Sequence, residues 1–255
     1  DLFSSFRTGN YEAYNDKRSF CLCQSKRTWT LANHRFYNRI FIINELEVDE
    51  LCFLDIRATL EKRQPNFRIL HEIADECFMP LAYGGGVKDA DTARKILSIG
   101  FEKIVLNTAA YTNPKLVSEI ANYSGVQSVV VSIDVKKNIF GKYQVFICDG
   151  TKKVSIDPIE YALKLEKLGA GELLITSMDK DGTWAGFDLD ILNKISNTVN
   201  IPVIANGGAG NVNHIMDVIN NTKISAVALG SMVLYQGKDL GVLVNFPDKN
   251  YINKL

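Results

Sequence analysis

The chain has 255 residues, 46% of them hydrophobic, and its 29 basic residues balance 29 acidic ones at a sequence pI near 7.0. That length suits one large domain or two small ones, and the apolar share is enough for a full core. Neutral overall charge gives no reason to expect a nucleic acid, and no apolar run reaches the roughly 18 residues a membrane span needs, so neither nucleic acid nor membrane is expected as a partner.

The N-terminus, DLFSSFRTGNYEAYNDKRSF, lacks an apolar signal core, which points to a cytoplasmic protein. Residues 1–40 are polar and aromatic with few branched aliphatics, and their best strand candidate is Ser19–Gln24. From Arg39 a short helical pattern leads into an apolar run at 51–56. Then come helix-spaced apolar positions over Gln64–Glu76, a strand at 79–83 ended by Gly84-Gly85-Gly86, a helix at Asp89–Ile99 and a strand at 103–107. A helix at Pro114–Tyr123 precedes the clearest strand, 127–135, and Ile139–Cys148 reads as a hairpin turning at Phe140-Gly141-Lys142. The remainder alternates: helix 157–168, strand 172–177, a Gly/Asp-rich loop at 178–186, helix 188–198, strand 202–205, helix 212–219 and strand 226–229. Continuous apolar runs alternating with amphipathic helices predict a parallel sheet covered on both faces.

The chain also repeats itself. Pro80 and Pro202 are 122 residues apart, and at that offset Gly85 falls on Gly207, Gly86 on Gly208, Thr108 on Gly230 and Glu50 on Glu172. A repeat of this length is a half-domain, not a solenoid unit. Seven strands from residue 51 onward plus one before residue 40 would give eight, and eight parallel strands with helices close a (β/α)8 barrel built from two half-barrels. A doubly wound open sheet is the rival, but it would place its glycine motif at one switch point, not two. The division expected is a poorly matching segment at 1–40 that supplies strand one, then a barrel domain at 41–255.

In such a barrel the reactive groups lie at the C-terminal ends of the strands. There the sequence places Asp55, Gly85 and Gly86, Asn107 and Thr108, Asp134, Asp181-Gly182-Thr183, Gly207 and Gly208, and Gly230-Ser231. Glycine lets backbone N–H groups approach an anion, and a helix start beside it adds a favourable dipole. Two such cups half a barrel apart suit a small molecule with a phosphate at each end; tight βα turns without a ligand are the plainer alternative. Asp134 after an apolar strand is a candidate general acid or base, Asp55 and Asp181 weaker ones. His71 and His214 fall within helices and read as surface positions. Glu50, Lys103 and Glu172 stand at the N-terminal starts of strands, as solvated charges or as an inward ion cluster. The five cysteines, Cys21, Cys23, Cys52, Cys77 and Cys148, are odd in number and widely spaced, which suits reduced thiols. Cys21-x-Cys23 lacks a second ligand pair, so no metal and no cofactor is expected.

The motifs FLDI at 53–56, YGGGV at 83–87, NTAA at 107–110, SIDVK at 132–136, LITSMDKDGTWAGFDL at 174–189 and IPVIANGGAG at 201–210 together resemble the cyclase subunit of imidazole glycerol phosphate synthase, over roughly residues 40–235. The resemblance implies a lyase of histidine biosynthesis that takes ammonia from a glutaminase subunit docked on the N-terminal face of the barrel. Ammonia would pass through the core to a bis-phosphorylated substrate at the top. It implies one phosphate at Gly86, Asn107 and Thr108, with Gly85 in the same turn. The other falls at Asp181, Gly182, Gly208, Gly230 and Ser231, with Gly207 beside them. Asp134 matches a catalytic aspartate, and Glu50, Lys103 and Glu172 match the gate at the ammonia entrance. The family's other catalytic aspartate ends strand one, where this chain has Cys21-Leu22-Cys23.

The stretches 53–67 and 230–249 look more like the paralogues associated with nucleotide-sugar amidation in surface-polysaccharide (O-antigen) biosynthesis, which would hand ammonia to a sugar amidotransferase. Three readings therefore stand: an ammonia-dependent cyclase, an ammonia-conducting subunit of a sugar-amidation complex, and a non-catalytic phosphate-binding barrel.

Overall fold

The computed structural model describes residues 19–25, as backbone, and residues 48–234. The helical pattern after Arg39 lies outside the described residues. In chain order the strands are β1 (Ser19–Ser25), β2 (Glu50–Leu54), β3 (Leu81–Gly84), β4 (Lys103–Leu106), β5 (Val129–Lys137), β6 (Tyr143–Ile147), β7 (Lys152–Val154), β8 (Glu172–Ser177), β9 (Val203–Asn206) and β10 (Ala226–Leu229). The helices are α1 (Ile56–Leu60), α2 (Phe67–Glu76), α3 (Ala90–Ile99), α4 (Thr108–Thr112), α5 (Lys115–Ser124), α6 (Pro158–Leu168), α7 (Leu189–Ser196), α8 (Val212–Asn221) and α9 (Ser231–Leu234).

Strands β1, β2, β3, β4, β5, β8, β9 and β10 pair in that order, every pair parallel, and β10 pairs back onto β1. The ring is closed, so the architecture is the (β/α)8 barrel and not the open sheet. The weak candidate at Ser19–Gln24 is the closing strand: Cys21 lies beside Ala228 on one side and Glu50 on the other.

The internal repeat is visible in the elements. Moved on by 122 residues, β3 falls on β9, α3 on α8, and the start of β2 on that of β8. Even the helix caps correspond. Asp89 caps α3 by accepting from Thr92 N at 2.7 Å, and Asn211 caps α8 by accepting from His214 N at 3.1 Å.

Alternation along each strand divides the core in two. In β4, Ile104 and Leu106 face the helices while Val105 faces the lumen. The lumen holds Cys52, Ala82, Val105, Val130, Leu174, Ile204 and Ala228, one from each described barrel strand other than β1. The outer layer packs Ile96 of α3, Leu116 and Ile120 of α5 and Leu165 of α6 against the sheet. Each such aliphatic, fully buried, contributes about 1.5–3 kcal/mol.

Two expected boundaries shift. The strand read at 51–56 ends at Leu54 because Asp55 caps a one-turn helix, accepting from Ala58 N at 3.2 Å. The strand read at 127–135 runs on to Lys137, because β6 pairs with it, and β7 with β6, as an antiparallel meander. The hairpin turns at Asn138–Lys142, close to the expected place.

This meander is anchored from below. Tyr143 Oη donates to Asp188 Oδ1 at 2.6 Å, and Asp188 is buried, with Ser177 Oγ 3.4 Å from its other oxygen. Burial and the Asp188 charge push the Tyr143 phenol pKa well up, which keeps it a donor. A hydrogen bond to a buried carboxylate is worth about 1.5–3 kcal/mol. Tyr143→Phe is therefore expected to lower unfolding free energy by that amount in urea titrations.

Candidate active site

A pocket of about 330 Å³ opens at the C-terminal end of the barrel. Its walls include Asp55, Gly85, Gly86, Asn107, Thr108, Asp134 and Asp181, all singled out from the sequence, together with Thr59, Ser132, Asp149, Gly150, Thr176, Met178 and Asn206, which were not. Gly182, Gly207, Gly208, Gly230 and Ser231 lie outside that lining. Gly207 is nonetheless adjacent to it, since a Cβ there would sit 3.3 Å from Asp181 Cβ. Gly230 precedes α9, and its carbonyl accepts from Val233 N at 3.1 Å.

Asp134 stands on the inner face of β5, two residues after Ser132. Ser132 Oγ donates to Oδ1 at 3.0 Å and Asn107 Nδ2 donates to Oδ2 at 3.1 Å. Burial pushes the Asp134 pKa up to about 6, and the nearby Asp149 charge adds to the rise. The hydrogen bonds from Ser132, Asn107 and Thr176 work against it. A carboxyl tuned there can give or take a proton near neutral pH. Asn107 also reaches Ser132 O at 3.2 Å, which fixes its amide against β5. The hydroxyl of Thr108 accepts from Cys148 N at 2.9 Å and so joins the end of β4 to the meander.

Strand register sets a polar row around the wall. Asp134 is the neighbour of Thr176 on β8, and Thr176 is the neighbour of Asn206 on β9, whose Nδ2 donates to the Thr176 hydroxyl at 3.0 Å. Thr176 and Asn206 could have been found from the strand ends, where a polar residue replaces the apolar run. Asp55 is engaged by Arg63 through two bonds, Nη1 to Oδ2 at 2.5 Å and Nη2 to Oδ1 at 2.7 Å, a fork that holds the β2 loop against the pocket. His214 is not a plain surface residue. It is half-buried, and its Nδ1 accepts from Gly210 N at 3.2 Å, bracing the loop after β9.

Both diglycine turns have a packing reason to be glycine. A Cβ on Gly85 would stand 2.4 Å from Asp55 O, and one on Gly208 would stand 2.2 Å from Gly186 O, both at positive φ. In each half the turn presses against the backbone of the loop after the preceding strand. Gly208→Ala is expected to cost roughly 1–3 kcal/mol and to push the 178–186 loop away, measurable as a lower Tm and faster proteolysis of that loop.

At the other end of the barrel three charges converge from the starts of β2, β4 and β8. Lys103 Nζ lies 2.6 Å from Glu50 Oε2 and 2.8 Å from Glu172 Oε1. Lys103 is 6% exposed and Glu172 4%, so these are not solvated strand ends. Burial raises the Glu50 pKa despite the opposing pull of Lys103. Among the described residues no cluster of metal-ligating side chains occurs, and no helix is long and apolar enough to cross a membrane.

A closed βα barrel with a tuned carboxyl in a polar cup at the C-terminal ends of its strands defines a barrel enzyme acting on a small molecule. Residues 31–239 match the family described as "Histidine biosynthesis protein". The chain belongs to that family, and within it to the group of imidazole glycerol phosphate synthase subunit HisF, a lyase/cyclase. It is 45% identical to the HisF subunit of Lactococcus lactis over 76% of this chain and 75% of that protein. It is 40% identical to the HisF subunit of Methanococcus vannielii over 83% of this chain and 85% of that protein. A Pseudomonas aeruginosa protein with the provisional name imidazole glycerol phosphate synthase subunit hisF2 is 44% identical over 85% of this chain and 86% of its own length.

Proposed function

We propose that this chain uses ammonia to close a ring on a phosphorylated substrate in the upper pocket, as in imidazole glycerol phosphate formation. The observation that carries the reading is Asp134, a buried carboxyl with a pKa near 6 at the floor of a cup edged by glycine turns. Backbone N–H groups at Gly85 and Gly86, with Asn107 and Thr108, would hold one phosphate. Asp181, Gly182, Gly207, Gly208, Gly230 and Ser231 would surround the other.

Ammonia would enter through the Glu50–Lys103–Glu172 plug and travel along a lumen of mostly small apolar side chains, which a neutral molecule crosses and an ion does not. A glutaminase subunit would dock on the face that carries the plug. Phe78 and Val126, exposed on the loops leading into β3 and β5, supply apolar surface there. The test is direct: purified chain, an ammonium salt and the bis-phosphorylated ribulosyl substrate should give imidazole glycerol phosphate and the aminoimidazole carboxamide ribotide. Absence of both products would sink the reading.

One observation favours a second reading. The strand β1, SFCLCQS, carries no carboxylate. An ammonia-conducting subunit for nucleotide-sugar amidation would need the plug and the lumen but not a full set of acid–base groups. In that case the chain would stimulate a glutaminase partner while forming no product of its own.

A further inference from the structure

We propose that Asp149 supplies the second acid–base carboxylate of the pocket, paired with Asp134. This rests on the ammonia-condensation reading above. Condensing ammonia with a carbonyl demands two proton transfers. The N–C bond forms first, giving a carbinolamine; then the C–O bond breaks and water leaves. One carboxylic acid must protonate the departing hydroxyl while one carboxylate removes a proton from nitrogen. Asp134 as the acid and Asp149 as the base complete that exchange, and the proton returns from Asp149 to Asp134 through solvent. No carboxylate is available from β1.

The meander brings Asp149 to the pocket and fixes it there. Asp149 and Gly150 are the two central residues of the turn joining β6 to β7, closed by Thr151 N donating to Cys148 O at 3.1 Å. Their φ values, 54° and 71°, are those of a type I′ turn. On one side the turn is tied to the start of α4, where Cys148 N donates to Thr108 Oγ1 at 2.9 Å. On the other it abuts the loop after β8, since a Cβ on Gly150 would stand 2.3 Å from Met178 Cε. The turn thus spans the mouth between two walls, and Asp149 lines the same cavity as Asp134. The remaining charged groups lining that cavity among the described residues are Asp55, held by Arg63 at the end of β2, and Asp181, in the loop after β8. The influence of Asp149 on Asp134 fits the pairing, for its charge raises the Asp134 pKa.

Asp149→Asn is a clean probe, because Asn-Gly is the preferred pair for a type I′ turn and the fold should be untouched. With ammonium and the bis-phosphorylated substrate, kcat is expected to fall about 100-fold or more with KM little changed. The alkaline limb of the pH profile, set by the Asp134 acid, should also move to lower pH. A purely structural turn residue would shift neither. Wild-type turnover together with an unaltered Asp149→Asn profile overturns the proposal. Should the wild-type chain form no product, the functional reading fails by itself, and ¹³C-carboxyl NMR titration of Asp134 still decides the pairing. A lower Asp134 midpoint in Asp149→Asn supports it; an unchanged midpoint overturns it.

Discussion

Asp134→Asn is expected to abolish turnover and, above pH 7, to stabilise the protein. Loss of a positioned acid–base group removes about 10²–10⁴ in rate. The stability effect follows from the pKa. Asp134 titrates near 6 in the folded chain against 3.8 for the ordinary side chain, so the native state holds the proton more tightly than the unfolded one. The stability this provides is complete below about pH 4 and is lost as pH rises through about 6. At about 1.4 kcal/mol per pKa unit, the ionised carboxylate leaves the native state about 3 kcal/mol less stable at pH 8 than its neutral form would. Asparagine keeps the shape without the charge, but it cannot accept on both edges from Ser132 and Asn107, which reduces the net gain to about 1–3 kcal/mol. Urea unfolding at pH 5 and pH 8 checks the sign: the variant should gain on wild type at pH 8 and lose the advantage at pH 5. A variant that is less stable at pH 8 would contradict the burial of this carboxyl.

The second large effect is expected at the plug. Lys103→Met removes the cation shared by the buried Glu172 and the half-buried Glu50, leaving the two carboxylates close together without it. Among the described residues, Glu172 Oε2 has no hydrogen-bond partner. Removing one member of a buried charge cluster costs about 3–5 kcal/mol. The loss should shrink at low pH. Glu50 already has a raised pKa, and without Lys103 it rises further, so protonation on the acid side relieves the repulsion. Thermal unfolding of Lys103→Met and wild type at pH 5 and pH 8 reads this out. Equal losses at both pH values would show that the two carboxylates are not forced together.

Much of this was legible in the residues. The 122-residue repeat, the alternation of apolar runs with amphipathic helices, and Asp134 at the end of QSVVVSID all follow from periodicity and spacing. Strand β1 was faint because SFCLCQS has few branched aliphatics; its pairing with β2 and β10 makes it a strand, and that context is non-local. The Asp55–Arg63 fork joins residues eight apart through a loop whose path no local pattern encodes. The turn at Asp149-Gly150 was encoded, since Asp-Gly between two apolar alternations is a hairpin signal. The inward position of Lys103 and Glu172 could not be read from the chain, for a charge at a strand start is as compatible with solvent as with the lumen until the barrel closes.

The row Asp134, Thr176 and Asn206 has a wider consequence. Adjacent strands lie about 4.8 Å apart, so these three groups stand at fixed intervals on a hydrogen-bonded wall. The glycine turns, the meander and the 178–186 segment, by contrast, are borne on connections above that wall. Evolution can therefore exchange what the mouth grips by rewriting connections one at a time, while the spacing of the proton-handling groups beneath stays constant.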